Sequence, residues 1–135
     1  MSVPVHFQIN WIPDIRKWRM FVKSKVDSSG LTVEMENLAF RRLVFYAATA
    51  SSGKPANQHE NMKVTIIGPD EILWEFYNSR EVIEGQHRLG VKRIEIDETV
   101  RLNLILAQVK NMLEYMLKLV EYNPDECHDQ TSFEN

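Results

Sequence analysis

The sequence predicts a single α+β domain, in which an antiparallel sheet of about five strands packs against two helices. Three observations support this prediction. The chain has 135 residues, the size of one domain. Short segments alternate apolar and polar residues as strands do, most clearly residues 3–11, and two longer segments have helical spacing. We expect the domain to span residues 1–122 and an acidic polar tail to follow over residues 123–135.

Residues 16–26 fit two patterns. A helix would align Trp18 with Val22 and Val26, since these lie four residues apart. A strand would place Met20 on the same face as those three residues. Because the alternation extends over this whole segment, which is rich in aromatic and β-branched side chains, the strand is favoured.

The first helix is predicted over residues 32–51, where Ala, Leu, Arg and Glu dominate. Gly53 and Pro55 are typical of residues that follow a helix end. Residues 31–36 also alternate, so the helix can instead begin at Asn37. Its apolar face would comprise Met35, Leu38, Ala39, Leu43, Tyr46, Ala47 and Ala50.

The second half begins with a predicted hairpin in residues 62–78, with Gly68-Pro69-Asp70 as its turn. A short strand over residues 91–96 follows, and Asp97 then caps a predicted helix over residues 97–122. No internal repeat is recognised. The apolar stripe of the second helix would comprise Leu102, Ile105, Val109, Met112, Met116 and Leu119.

Composition excludes several classes of protein. Hydrophobic residues make up 44% and charged residues 26%, values typical of a globular domain. The longest apolar run, Leu43 to Ala48, is far shorter than the roughly 20 residues that cross a bilayer. The first residues lack the pattern of a secretory signal, and the single cysteine, Cys127, forms no internal disulfide. We expect an intracellular protein, cytoplasmic or nuclear, that does not bind membranes.

Charge is uneven although the net charge is only −3. Residues 1–49 hold seven Lys and Arg against four Asp and Glu, whereas residues 97–135 hold three against eight. Cations displace the counterions of phosphates and aromatic rings stack on bases, so a basic segment with interleaved rings predicts binding of single-stranded DNA or RNA. The alternative is a solvated strand face, with Glu34 and Glu36 on a neighbouring segment neutralising the lysines. The predicted nucleic-acid-binding residues are Arg16, Lys17, Arg19, Phe21, Lys23 and Lys25.

The helix predicted over residues 97–122 is a second candidate surface. Its stripe contains methionines, which suit adaptable packing, and Leu104 lies off the main stripe. The residues predicted for self-association are Leu104, Met112 and Met116. The alternative is that this helix covers the sheet, as an α+β domain requires.

Motifs of metal, cofactor and catalytic sites are absent from the sequence. Cys127, His128, His59 and His87 lack the spacing of metal ligands. Gly53-Lys54 resembles part of a phosphate-binding loop, but Ala48 stands at the first glycine position and Pro55 at the Ser/Thr position. No nucleophile or dinucleotide motif occurs. We therefore predict no metal site, no cofactor and no catalytic residue.

These observations predict a small, non-enzymatic binding or assembly protein that acts through its surface. Its partner would be a second copy of itself or another protein. The alternative function is binding of single-stranded nucleic acid through the basic strand.

Overall fold

The computed structural model describes residues 4–26, 30–84, 91–121 and 131–134, and its fold is α+β, which confirms the predicted class. In chain order the elements are β1 (Val5–Ile12), β2 (Lys17–Ser24), β3 (Gly30–Met35), α1 (Asn37–Ser51), β4 (Met62–Ile66), β5 (Glu71–Glu84), β6 (Val91–Ile105), α2 (Leu106–Glu121) and β7 (Thr131–Glu134).

The strands form two antiparallel sheets, so the prediction of one sheet of about five strands is wrong. The first sheet has the order β3-β2-β1-β7, and the second has the order β4-β5-β6. Consecutive strands pair with each other within each group of three, as strands with short connections usually do. The helix α1 separates the two groups along the chain, and the strands of each group pair within one sheet.

The second strand is extended, so the helical alternative for residues 16–26 is excluded. Trp18, Met20 and Val22 are at most 1% exposed and form its inner face. Ser24 takes the next inward position, at 2% exposure. Val26, which was predicted to share this face, lies in the turn beyond the strand and is 69% exposed.

Both helices begin later in the chain than the predicted starts at residues 32 and 97. The helix α1 begins at Asn37, because residues 31–35 alternate between buried and exposed positions and belong to β3. The helix α2 begins at Leu106, because residues 100–105 alternate in the same way and pair with β5. Asp97, which was predicted to cap this helix, lies within β6 instead.

The described chain repeats one order of elements, three antiparallel strands followed by a helix. This similarity is one of topology, and it is compatible with the absence of a recognised repeat in the sequence. In each half a buried tryptophan of the central strand pairs with an apolar residue of the next strand. Trp18 pairs with Met35 in the first half, and Trp74 pairs with Leu102 in the second.

One hydrophobic core joins both sheets and both helices. Phe7 of β1 illustrates this, because its ring lies 5.9 Å from that of Phe76 in β5 and 6.0 Å from that of Tyr115 in α2. Aromatic contacts of this kind add stability beyond the area that they bury. The inner faces of the two sheets therefore face shared apolar neighbours.

The tryptophans of the two central strands, Trp18 and Trp74, also contact the two ends of α1. Trp18 Nε1 donates a hydrogen bond to Asn37 Oδ1 over 2.9 Å, at the first residue of the helix. Trp74 Nε1 donates to Ser51 Oγ over 3.3 Å, at its last residue. A buried indole N–H needs such a partner. The orientation of α1 is thus set by one tryptophan from each sheet.

The last described segment, Thr131–Glu134, forms β7 and pairs antiparallel with residues 6–9 of β1. Residues 122–130 and residue 135 of the predicted tail lie outside the described residues. Within the described ranges, no helix has the length and apolar character needed to cross a membrane.

Candidate interaction surfaces

The outer side of β2 presents four of the six residues predicted to bind nucleic acid. We call Lys17, Arg19, Phe21 and Lys23 the strand face. They alternate with the buried residues of β2, so the period of two sends all four to the same side. Lys17 and Arg19 are exposed, whereas Phe21 and Lys23 are half-buried.

Cross-strand neighbours neutralise part of the strand face. Arg19 forms an ion pair with Glu34 of β3, with an Nη2 to Oε2 distance of 3.0 Å. Phe21 makes an edge-to-face contact with the ring of His6, at a centroid distance of 5.8 Å. Lys17 and Lys23 form no ion pair within the described part of the chain. Glu34 therefore neutralises Arg19, and not a lysine as the alternative prediction expected.

The other two predicted residues lie outside the strand. Arg16 occupies the turn before β2 with a φ of 52°, and its guanidinium carbon lies 6.0 Å from the ring of Trp11. Lys25 follows the strand, and its backbone N–H donates to the carbonyl of Pro4 over 3.0 Å. Arg16 and Lys25 flank the strand face at its two ends.

A second surface lies on the outside of the helices and was not predicted as a site. Phe45 of α1 is 74% exposed and Leu38, two turns earlier, is 63% exposed. Leu117 of the neighbouring α2 is 46% exposed. We call these three residues, with Arg41 and Arg42 between the first two, the helical face. The prediction that Leu38 belongs to the buried side of its helix is wrong.

An open cleft of about 1100 Å³ adjoins Phe45. It lies between α1, the loop over residues 55–60 and the last turns of α2. Arg41 Nη1 donates to the carbonyl of Val120 over 3.4 Å and so connects α1 to the end of α2. Residues that line the cleft include Arg42, Phe45, Thr49, Gln58, Leu117 and Val120.

A buried histidine, His59, is among the residues that line this cleft. The polar composition of residues 51–61 predicts an exposed loop, yet His59 is only 8% exposed. Its Nδ1 accepts the backbone N–H of Asn61 over 3.0 Å, so Nε2 carries the proton and donates to the carbonyl of Ala39 over 2.9 Å. Burial lowers the pKa of His59 below its ordinary value of 6.5. The neutral ring therefore fixes the end of the loop to α1.

The repeat provides an internal reference for the helical face. Buried residues of the two helices have the same spacing: Ala39, Phe40, Leu43 and Ala47 in α1 correspond to Gln108, Val109, Met112 and Met116 in α2. In this alignment Phe45 corresponds to Glu114, and Leu38 corresponds to Ala107. Both of these α2 residues are exposed. The two large apolar side chains on the outside of α1 are thus replaced by an acidic and a small residue in the second half.

The residues predicted for self-association lie in the core. Leu104 is 1% exposed as an inward residue of β6, and Met112 and Met116 of α2 are both fully buried. Burial of these residues is instead expected if the segment covers a sheet, which was the alternative prediction. Large apolar side chains are exposed on the helical face and not at these three positions.

Within the described residues, no group of three or more His, Cys, Asp or Glu side chains is arranged to hold a metal ion. His87, Cys127 and His128 lie outside those residues. Comparison of the chain with protein-family models, with curated proteins and with solved structures gives no match. The strand face and the helical face are thus the two candidate sites of interaction.

Proposed function

We propose that this chain is a small, non-enzymatic intracellular protein that self-associates through its helical face. The observation that carries the proposal is the exposure of Phe45 and Leu38 at positions where the second half of the fold has Glu114 and Ala107. The fold itself does not require these side chains, since its other half is built without them. Exposed apolar side chains that cluster on one surface are typical of interaction sites.

A second copy of the chain is the partner that we propose. Two copies related by a twofold axis bury the same side chains from both sides, so each residue contributes twice. Burial of one Phe or Leu side chain contributes roughly 1.5–3 kcal/mol. The adjoining cleft gives Phe45 of one copy a recess in the other, where Leu117 and Val120 are among the apolar residues that line it.

Sedimentation equilibrium tests this proposal. The native chain is expected to exceed the mass of one chain at micromolar concentration. Phe45→Glu introduces the residue that α2 carries at the corresponding position, and we expect it to weaken association about 100-fold or more. Ile67→Glu is the control, because Ile67 is also exposed, at 52%, but lies beside the hairpin turn between β4 and β5. A native chain that stays monomeric contradicts the proposal.

We propose binding of single-stranded nucleic acid by the strand face as a second candidate function. It is favoured by the extended backbone of β2, which places Phe21 between Lys17, Arg19 and Lys23 on one side of a sheet. Stacking of a base on an aromatic ring contributes about 1–3 kcal/mol, and each phosphate contact adds a dependence on salt.

Fluorescence anisotropy with a labelled mixed-sequence oligonucleotide at low salt tests the second candidate. The combined variant Lys17→Glu and Lys23→Glu is expected to abolish binding, and Phe21→Ala to weaken it about tenfold. Lys63→Glu is the matched control, since Lys63 is an exposed cation on the other sheet. Equal binding by all of these variants rules out the strand face.

A further inference from the structure

The cleft beside Phe45 is large enough to hold a small molecule. Its volume of about 1100 Å³ is close to the upper limit of the roughly 300–1,000 Å³ that is typical of ligand sites. Apolar side chains such as Phe45, Leu117 and Val120 line it together with polar groups. Sites for small molecules combine an apolar lining with a few polar groups that fix the orientation of the ligand. The cleft therefore has the size and the composition of such a site.

The charges of the cleft favour an anion. Arg41 and Arg42 line it, and Glu60 is the one acidic side chain among the described residues that do so. His59 also lines the cleft and is neutral at pH 7, because burial lowers its pKa below 6.5. Two cations against one carboxylate leave this part of the surface with a net positive charge.

Arg42 is the cation whose hydrogen-bond donors are available to a ligand. Arg41 Nη1 donates to the carbonyl of Val120, whereas the Arg42 side chain forms no ion pair or hydrogen bond within the described part of the chain. Arg42 and Glu60 both influence the charge of His59, but they form no ion pair with each other. A guanidinium group binds a carboxylate or a phosphate through two parallel hydrogen bonds. The Arg42 guanidinium can therefore hold the head group of an anion.

The second half of the fold has no cation at the position of Arg42. In the alignment of the two helices Arg42 corresponds to Asn111, which is exposed and uncharged. The fold is thus built in one half without an arginine here. The cation is present in the half whose helix adjoins the cleft.

We propose that the cleft binds a small organic anion with a carboxylate or phosphate head and one aromatic or apolar group. Arg42 binds the head, and the apolar group lies among Phe45, Leu117 and Val120. This binding does not require self-association. Competition between the anion and self-association rests on the proposed function, in which Phe45 of a second copy enters the same cleft.

Phenylacetate and phenyl phosphate are the probes, because they join one ring to either anionic head. Benzyl alcohol is the matched neutral control. Isothermal titration calorimetry uses the full chain with Leu38→Glu, since Leu38 belongs to the helical face but does not line the cleft. We expect at least one anion to bind at least about tenfold more tightly than the alcohol does. The anion that binds more tightly identifies the head group that the site prefers.

Two further variants locate the site. Arg42→Gln is expected to weaken anion binding at least about tenfold. Lys110→Gln is the matched control, because Lys110 is an exposed cation of α2 that does not line the cleft. Amide chemical shifts of residues 45–49 and 55–60 should change when the anion is added. The proposal is overturned if neither anion binds more tightly than the alcohol, or if Arg42→Gln binds the anion as the native chain does.

Sedimentation of the native chain with and without the tighter anion measures the competition. The anion is expected to lower the average mass. Unchanged association at saturating anion contradicts a shared cleft. A native chain that is already monomeric without the anion contradicts the proposed function alone, because the calorimetric result does not depend on association.

Discussion

The two halves of this molecule, β1 to α1 and β4 to α2, have the same order of elements but different outer surfaces. Each has three antiparallel strands, a buried tryptophan in the central strand and a helix that follows the third strand. In each half an Arg–Glu ion pair lies on the outer side of the sheet next to the central-strand tryptophan. The Arg and the Glu change places between the two strands from one half to the other. Arg19 of β2 faces Glu34 of β3, whereas Glu75 of β5 faces Arg101 of β6.

The difference between the halves identifies what the fold does not need. Inward positions keep large apolar residues in both, because the common core depends on them. Outward positions differ in size and charge, most of all at Phe45 and Leu38 against Glu114 and Ala107. Packing within the described chain does not account for the exposed Phe45 and Leu38, and we therefore propose that they contact a partner.

Removal of either central-strand tryptophan is expected to reduce stability more than any other change considered below. Trp18→Ala and Trp74→Ala are each expected to lower the free energy of unfolding by about 3–5 kcal/mol, because each side chain is at most 1% exposed. Urea denaturation measures both. If one variant is as stable as the native chain, the two halves do not share one core.

The loop between α1 and β4 is expected to contribute the next largest amount to stability, through His59. His59→Ala removes two buried hydrogen bonds and leaves the Asn61 N–H and the Ala39 carbonyl without this partner, which is expected to cost about 1–3 kcal/mol. His59→Gln is the matched control, because an amide both donates and accepts. Hydrogen exchange at residues 55–61 should increase in the alanine variant while β1 and β2 stay protected.

The same histidine predicts a dependence of stability on pH. Its pKa in the folded chain lies below the ordinary value of 6.5, mainly because of burial. As the pH falls below 6.5, the unfolded chain binds a proton that the folded chain takes up only at lower pH, so stability decreases. The decrease ends once the folded pKa has been passed. Urea unfolding between pH 7.5 and pH 5 should show a smaller decrease for His59→Gln, and an unchanged slope contradicts the assignment.

The smallest effect concerns the exchanged Arg–Glu pairs. Exposed pairs contribute about 0.2–1 kcal/mol, and the Arg19–Glu34 pair is expected in that range because its side chains are 46% and 41% exposed. The Glu75–Arg101 pair should couple more strongly, since the Glu75 side chain is only 12% exposed. Double-mutant cycles with alanine measure both couplings. A stronger coupling for the first pair than for the second contradicts the role of burial.

Strict alternation made part of this fold predictable from sequence. The first two strands and the hairpin turn at residues 68–70 follow from local period and turn chemistry. The start of α2 was predicted wrongly because Leu102 and Ile105 continue the helical spacing of Val109 by chance, while the burial of Val100 and Leu104 follows the strand period. Only pairing with β5 decides between the two patterns.

The repeat and the helical face escaped sequence reasoning for different reasons. The halves share few identities, such as the dipeptide Thr32-Val33 and its counterpart Thr99-Val100, so topology reveals what identity does not. Leu38 was assigned to the buried side because helical spacing alone does not say which way a broad apolar stripe turns. Phe45 lay off that stripe, and an apolar residue outside the predicted buried face was the signal that could have identified the surface.

Exchange of two side chains between the helices tests whether the position of Phe45 on α1 drives self-association. The double variant Phe45→Glu and Glu114→Phe keeps the composition and net charge of the chain and moves one ring from α1 to α2. Sedimentation equilibrium of this variant should show the same loss of association as Phe45→Glu alone, because the ring no longer adjoins the cleft. Association equal to that of the native chain would show that apolar content, not the position on α1, drives assembly, and would contradict self-association through the helical face.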